Sequence, residues 1–240
     1  MFEKYVQLIL NLPDTEYEKF DILNENFELY SDENLKIYFA PHNEFINKQA
    51  KVFIVGITLG WTQTKIAYEI AKKGLNQKLA YKEIKQNCKK GARFAGSMRK
   101  NIITMLDEID LNKKLHISSC SELFEDKDYL LHTTSVIPYP VFINGKNYTG
   151  NNPSIIESEI LYKYVEQYFY KEAKILKDAL IIPLGKSVQQ VLEKMVDEKI
   201  IKEEQCLFGF PHPSGANGHR IKQFERNNEN LKKIVYNYII

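Results

Sequence analysis

The sequence predicts an α/β fold, a three-layer α/β/α sandwich around a mostly parallel central sheet. Three observations predict it. Strand-sized apolar runs recur at 52–55, 129–136 and 179–184, and stretches with helical spacing of apolar residues separate them. All eleven glycines stand at or after Gly56, so the body of the chain is glycine-punctuated and the first fifty residues are not. Strands alternating with helices argue for parallel crossover units held between helical layers.

Residues 1–50 are expected to form an N-terminal helix and β-hairpin extension packed on a domain spanning 51–240. Met1 to Leu10 reads as a short helix. In 26–30 and 34–40, Phe27 and Leu29, then Leu35, Ile37 and Phe39, alternate on one face, with Ser31 to Asn34 as the turn. Val52-Phe53-Ile54-Val55 is continuously apolar and ends at Gly56, as expected of a strand covered on both faces. Ile102, Ile103, Leu106 and Ile109 have helical spacing, and 153–170, 188–195 and 223–239 read as further helices. Cys206 to Phe210 reads as a fourth strand, and 141–150 either as a surface hairpin turning at Asn144-Gly145 or as a polar loop carrying amides, a lysine and aromatics.

Composition excludes several classes. The longest uncharged apolar run, Val52 to Leu59, is strand-sized, whereas a membrane helix needs about 20 apolar residues. Met1-Phe2-Glu3-Lys4 lacks a cationic leader followed by an apolar stretch, so a cytoplasmic location with no membrane partner is expected. Cys88, Cys120 and Cys206 lie far apart, which fits free buried thiols in a reducing compartment and offers no metal site. A net charge of +2 means that any polyanion must be held by a local basic patch.

In open sheets of this class ligands bind beyond the carboxyl ends of the strands. The first run is followed by Gly56-Ile57-Thr58-Leu59-Gly60, either plain α/β punctuation or a turn that lets backbone approach a ligand. It is neither a P-loop nor a dinucleotide fingerprint, because the required glycine and Lys-Ser/Thr spacing is missing. Thr133-Thr134-Ser135 ends the second run, where hydroxyls satisfy strand-end backbone or read a ligand. The third run leads into Gly185-Lys186-Ser187 at a helix start, a helix cap or a phosphate cradle. Pro211-His212-Pro213-Ser214-Gly215 then fixes an imidazole between two prolines, ahead of Ala216, Asn217, Gly218, His219 and Arg220.

The joint order of these pieces resembles the uracil-DNA glycosylase superfamily, from about Lys51 to the C-terminal helix. Gly56-Ile57-Thr58-Leu59-Gly60 is similar to that superfamily's first motif, and His212-Pro213-Ser214-Gly215 to its His-Pro-Ser motif. Arg93-Phe94-Ala95-Gly96 resembles its Pro-Phe-x-Gly segment, Thr133 to Val136 stands where it has Thr-Asn, and Leu184-Gly185-Lys186-Ser187 where it has Leu-Gly-Arg/Lys-Thr. The resemblance implies a uracil-DNA glycosylase-like fold in a divergent bacterial or phage-defence branch. It implies a cytoplasmic enzyme, a monomer, that flips a base from single- or double-stranded DNA and hydrolyses its N-glycosidic bond without metal or organic cofactor.

By the same resemblance Thr58 and His212 are the catalytic pair. Gly56, Ile57, Phe94 and Ser135 are expected to hold the everted base, with Phe94 stacked on it. Lys186, Ser187, Ser214, Gly215, Asn217, His219 and Arg220 are expected to grip DNA. The chain departs from the family in five ways. Ile57 and Thr58 occupy positions where relatives carry Asp, Asn or Glu to hold the attacking water, and a threonine hydroxyl takes no proton near neutral pH. Gln63 and Glu69 are candidate substitutes. Leu59 replaces a proline, Ser135 an asparagine and Ala216 a wedge leucine, and the four cysteines of the iron-sulfur branches are absent. The expected substrate is a modified or damaged pyrimidine, either a bulky modified cytosine of phage DNA or uracil. The alternative is a catalytically inactive DNA- or nucleotide-binding protein of the same fold.

Overall fold

The computed structural model describes residues 1–239 and shows an α/β protein with one parallel and one antiparallel sheet. In chain order its elements are α1 (Val6–Leu10), α2 (Lys19–Ile22), β1 (Glu28–Ser31), β2 (Leu35–Tyr38), β3 (Val52–Gly56), α3 (Trp61–Asn76), α4 (Tyr81–Ala92), α5 (Gly96–Glu108) and α6 (Leu111–Lys114). There follow β4 (Leu131–Ser135), β5 (Val141–Ile143), β6 (Lys146–Asn147), α7 (Glu159–Tyr164), α8 (Tyr170–Ile175), β7 (Leu180–Pro183), α9 (Lys186–Asp197) and α10 (Arg220–Asn237). The chain divides into two units, and neither is a continuous stretch. Met1–Ile46, Thr58–Arg93 and Ile137–Asn152 form the first; Asn47–Ile57, Phe94–Val136 and Pro153–Ile240 form the second. Of the residues expected as an N-terminal extension, Met1–Ile46 share a unit with α3, α4 and the β5–β6 hairpin, and 47–50 belong to the second unit. Among the described residues no helix is long and apolar enough to cross a membrane.

In the first unit the strands pair in the order β1-β2-β5-β6, all antiparallel. The β1–β2 hairpin expected from alternation is present, with Ile37 opposite Tyr30 on one side and Val141 on the other. β5 and β6 turn at Asn144 and Gly145, both at positive φ (49° and 72°), the conformation an Asn-Gly hairpin turn requires. An aromatic cluster fills the space beneath: Tyr5 stacks on Phe39 with centroids 3.9 Å apart, Phe27 meets Tyr68 edge-on at 5.1 Å, and the Tyr68 hydroxyl donates to Phe39 O at 2.8 Å. The helices α3 and α4, which the sequence reading did not single out, pack on each other in this unit.

In the second unit β3 is central, flanked in parallel by β4 and β7. All five β3 residues are buried, which is why the run reads as continuously apolar. Val52 and Ile54 join a core with Ile102 and Leu106 of α5, Leu231 and Val235 of α10, and Ile182 of β7. Each such buried aliphatic side chain contributes roughly 1.5–3 kcal/mol. Phe53 points the other way and meets Phe169, in a π-helical turn (Val165–Phe169) between α7 and α8, at 5.9 Å.

A buried polar group lies beside that ring. The Asn47 N–H donates to His132 Nδ1 at 3.3 Å, so the ring proton sits on Nε2, which hydrogen-bonds to Glu172. The other Glu172 oxygen accepts from Thr134 Oγ1 at 2.9 Å. These bonds compensate the desolvation of the carboxylate and tie α8 to β4.

The expected fourth strand is not formed. Cys206 makes a single parallel bridge to Ile181, and then Phe210 N donates to Leu207 O at 3.2 Å while Gly209 adopts φ 92°. That tight turn removes the extended backbone a ladder needs. The helix expected from residue 153 begins at Glu159, where Ser158 caps Leu161 N–H at 3.5 Å; the residues before it form turns.

Candidate functional site

The carboxyl ends of the three parallel strands bring together residues singled out in the sequence. Gly56 pairs with Ser135 across β3 and β4, and Val136 N donates to Gly56 O at 2.9 Å. A Cβ on Gly56 would lie 3.6 Å from Phe94 Cζ and 3.7 Å from Ser135 Oγ, so the glycine, the aromatic edge and the hydroxyl share one spot. Phe94 is half-buried, packed against the core of the second unit rather than sealed within it. Its carbonyl accepts from Arg99 Nε at 2.5 Å, and the Arg99 guanidinium lies 5.2 Å from the Phe124 ring. Ser135 is buried and Ile57, the next residue after Gly56, is half-buried.

On the other side of β3, Leu184 N donates to Val55 O at 2.9 Å and carries the chain to Gly185, whose N–H reaches Phe210 O at 3.3 Å. Gly185 has φ 90° and ψ 175°, a conformation reserved for glycine. His212 packs directly on it. The Ser214 N–H donates to His212 Nδ1 at 3.3 Å, which places the ring proton on Nε2. Burial lowers the imidazole pKa from its ordinary value, so the neutral ring is favoured. The result is a neutral N–H donor held from behind by backbone, between Pro211 and Pro213, both buried.

The loop after His212 is braced by its own side chains and by α5. Asn101 Nδ2 donates to Pro213 O at 2.8 Å. Asn217 Nδ2 donates to His212 O (3.1 Å) and Gln223 Oε1 (3.0 Å), while its Oδ1 accepts from His219 N (3.2 Å). Ser214 Oγ accepts from Ala216 N at 3.2 Å, and Arg220 Nη1 donates to Ser214 O at 3.1 Å. Asn217 is thus engaged in shaping the loop, while Gly215, Ala216 and His219 are exposed at its tip. Lys186 is exposed and Ser187 half-buried in the first turn of α9, a 12-residue helix.

Thr58 belongs to the first unit. Its hydroxyl donates to Tyr139 O at 2.5 Å, two residues ahead of β5. Asn147 accepts from Trp61 N at 3.1 Å, and Gln63 Oε1 accepts from Gly60 N at 3.1 Å. Gln63 therefore caps α3. Glu69 is exposed on α3 and faces Tyr17, whose pKa is pushed up to about 12 by burial first and by Glu69 next. The bracing roles of Asn101 and Asn147 were missed in the sequence because their partners lie 112 and 86 residues away.

Cys88, Cys120 and Cys206 are all buried and free. Among the described residues no group of three or more His, Cys, Asp or Glu side chains is placed to hold a metal ion.

No protein-family model matches the chain, and no solved structure matches it. A protein of Bacillus subtilis (strain 168), described as uncharacterized protein YoxB, is 46% identical over 221 residues, which cover 92% of this chain and 86% of that protein. Identity of that level over nearly the whole of both proteins means that the chain belongs to the family of YoxB.

Proposed function

We propose that the chain is a DNA glycosylase with a uracil-DNA glycosylase-like, three-layer fold, acting as a cytoplasmic monomer on an everted pyrimidine. The observation that carries the proposal is the fixed tautomer of His212: Ser214 N–H occupies Nδ1, so Nε2–H is the group left to face a ligand. N-glycosidic cleavage separates a sugar cation from a base anion, and a preorganised neutral donor at the base carbonyl stabilises that anion as it forms. In this reading the half-buried Phe94 ring, whose Cζ would lie 3.6 Å from a Cβ on Gly56, stacks on the base beside the strand end. Lys186 and Arg220 supply the cations for the phosphates, and His219 an N–H donor. Ser135 in place of an amide favours an enlarged or modified pyrimidine over a tightly gripped uracil. This is the substrate class expected of an enzyme acting against phage DNA with modified cytosines.

One observation favours a second reading, a DNA-binding protein without cleavage. The Thr58 hydroxyl proton is already given to Tyr139 O, and the side chain is no base, so no carboxylate of the first motif orders a water. Incubation with single- and double-stranded oligonucleotides bearing uracil, hypoxanthine, mismatches, or hydroxymethylated or glucosylated cytosine, followed by alkali, separates the two. The glycosylase reading expects strand breaks with at least one of them, and His212→Ala lowers the rate about 10²–10³-fold. Mobility shifts without breaks across the panel establish the binding protein, and neither shift nor break ends both readings.

A further inference from the structure

We propose that the second unit carries a separate binding site for a nucleoside phosphate, in the groove between α6 and the last turns of α10. The groove encloses about 820 Å³, within the roughly 300–1,000 Å³ of small-molecule sites. Its floor is apolar: Ile109 and Val235 are buried there. Lys113, Lys232 and Lys233 line it together with two acids, Asp110 and Glu229, and His116 adds an imidazole. Asp110 is already neutralised: Lys113 Nζ lies 2.7 Å from its carboxylate, and Lys113 first and Lys232 further off hold its pKa below the ordinary range.

Lys114 has a different task. Its ammonium donates to Tyr236 O at 2.8 Å and ties α6 to the end of α10, so the two walls are held together. Lys232 is half-buried and lines the groove, and its charge acts on Asp110. Tyr236 is 81% exposed and Ile239 90% exposed, and both line the groove. A large aromatic ring left in water beside an apolar floor and the Lys232 and Lys233 ammoniums matches a ligand with a planar face at one end and a phosphate at the other. A sugar phosphate, with no planar apolar part, would leave the floor wet.

The groove is not a continuation of the His212 loop. Arg220 and Tyr236 stand at opposite ends of α10, about 24 Å apart at 1.5 Å per residue. The inference is therefore independent of the glycosylase proposal.

Isothermal titration of the full chain with adenosine monophosphate, inorganic phosphate, adenosine and a short single-stranded oligonucleotide tests it. Adenosine monophosphate is expected to bind below about 1 mM, and phosphate and adenosine each at least about tenfold more weakly. Lys232→Ala with Lys233→Ala is expected to weaken nucleotide binding about tenfold or more, and Tyr236→Ala by several-fold, with unchanged circular dichroism and unchanged oligonucleotide affinity. Phosphate binding as tightly as the nucleotide would reduce the site to a simple anion patch and overturn the proposal. Oligonucleotide affinity lost in the lysine variant would make the groove a nucleic-acid contact, and nucleotide affinity unchanged in that variant would place the ligand elsewhere; either result overturns it.

Discussion

Gly185 and His212 are packed so closely that no side chain fits between them. A Cβ built on Gly185 would stand 2.9 Å from His212 Cβ and 3.5 Å from its Cα, in a backbone conformation that only glycine adopts without strain. The turn after β7 is thus the wall against which the imidazole rests.

Gly185→Ala is expected to lower stability by about 1–3 kcal/mol from backbone strain alone and to push His212 off its place. Denaturant unfolding measures the first effect. The second is read from loss of the Ser214 amide shift that reports its bond to Nδ1. A variant as stable as the parent, with that shift unchanged, would show that the contact has no consequence.

The His212 pKa lies below its ordinary 6.5 because burial disfavours the cation. Well above pH 6.5 the ring is neutral in both folded and unfolded chains, and its burial carries no charge penalty. As pH falls through 6.5 the unfolded chain takes up a proton that the folded one refuses, so stability is lost on acidification. Protonation of Nδ1 also removes the acceptor for Ser214 N–H. Titration of the ring by NMR is expected to give a midpoint under 6.5, and His212→Gln is expected to lose less stability than the parent between pH 7 and 5. A midpoint above 6.5 contradicts the assignment.

Arg220 both braces Ser214 O and carries charge at the start of α10. On the proposed DNA-binding role, Arg220→Ala is expected to weaken binding and reduce the slope of log K against log salt by about 1. Arg220→Lys keeps the charge and loses the fork, so it should restore the slope but not the full affinity. Equal slopes for all three proteins would remove Arg220 from the phosphate contacts.

Burial pushes the Cys88 and Cys206 thiols up to about 12, and Cys120 higher still, by burial first and then by its neighbour Asp107. None is a thiolate at pH 8. A disulfide dye reagent should leave the native protein unmodified over minutes and titrate three thiols in denaturant. Rapid stoichiometric reaction of one thiol in the native state would show that its cover opens.

What the sequence determined by itself is what short-range chemistry encodes. A fully apolar run specifies β3 because both its faces are covered, and Asn144-Gly145 specifies a hairpin because both residues tolerate positive φ. Glycine and proline around residues 185 and 212 mark a constrained turn wherever they occur. Only the tertiary structure decided the rest. The β2–β5 pairing joins residues more than one hundred positions apart, and it draws the N-terminal residues into a unit with α3 and α4. Cys206–Phe210 has the apolar content of a strand and forms one bridge, because Gly209 turns the chain. Nor does any spacing announce that Glu172 meets His132 and Thr134, or that Ser214 selects the His212 tautomer. Buried donors and acceptors must find partners, and which partner each finds depends on which segments desolvate together. That is a property of the packed chain, not of any window of it.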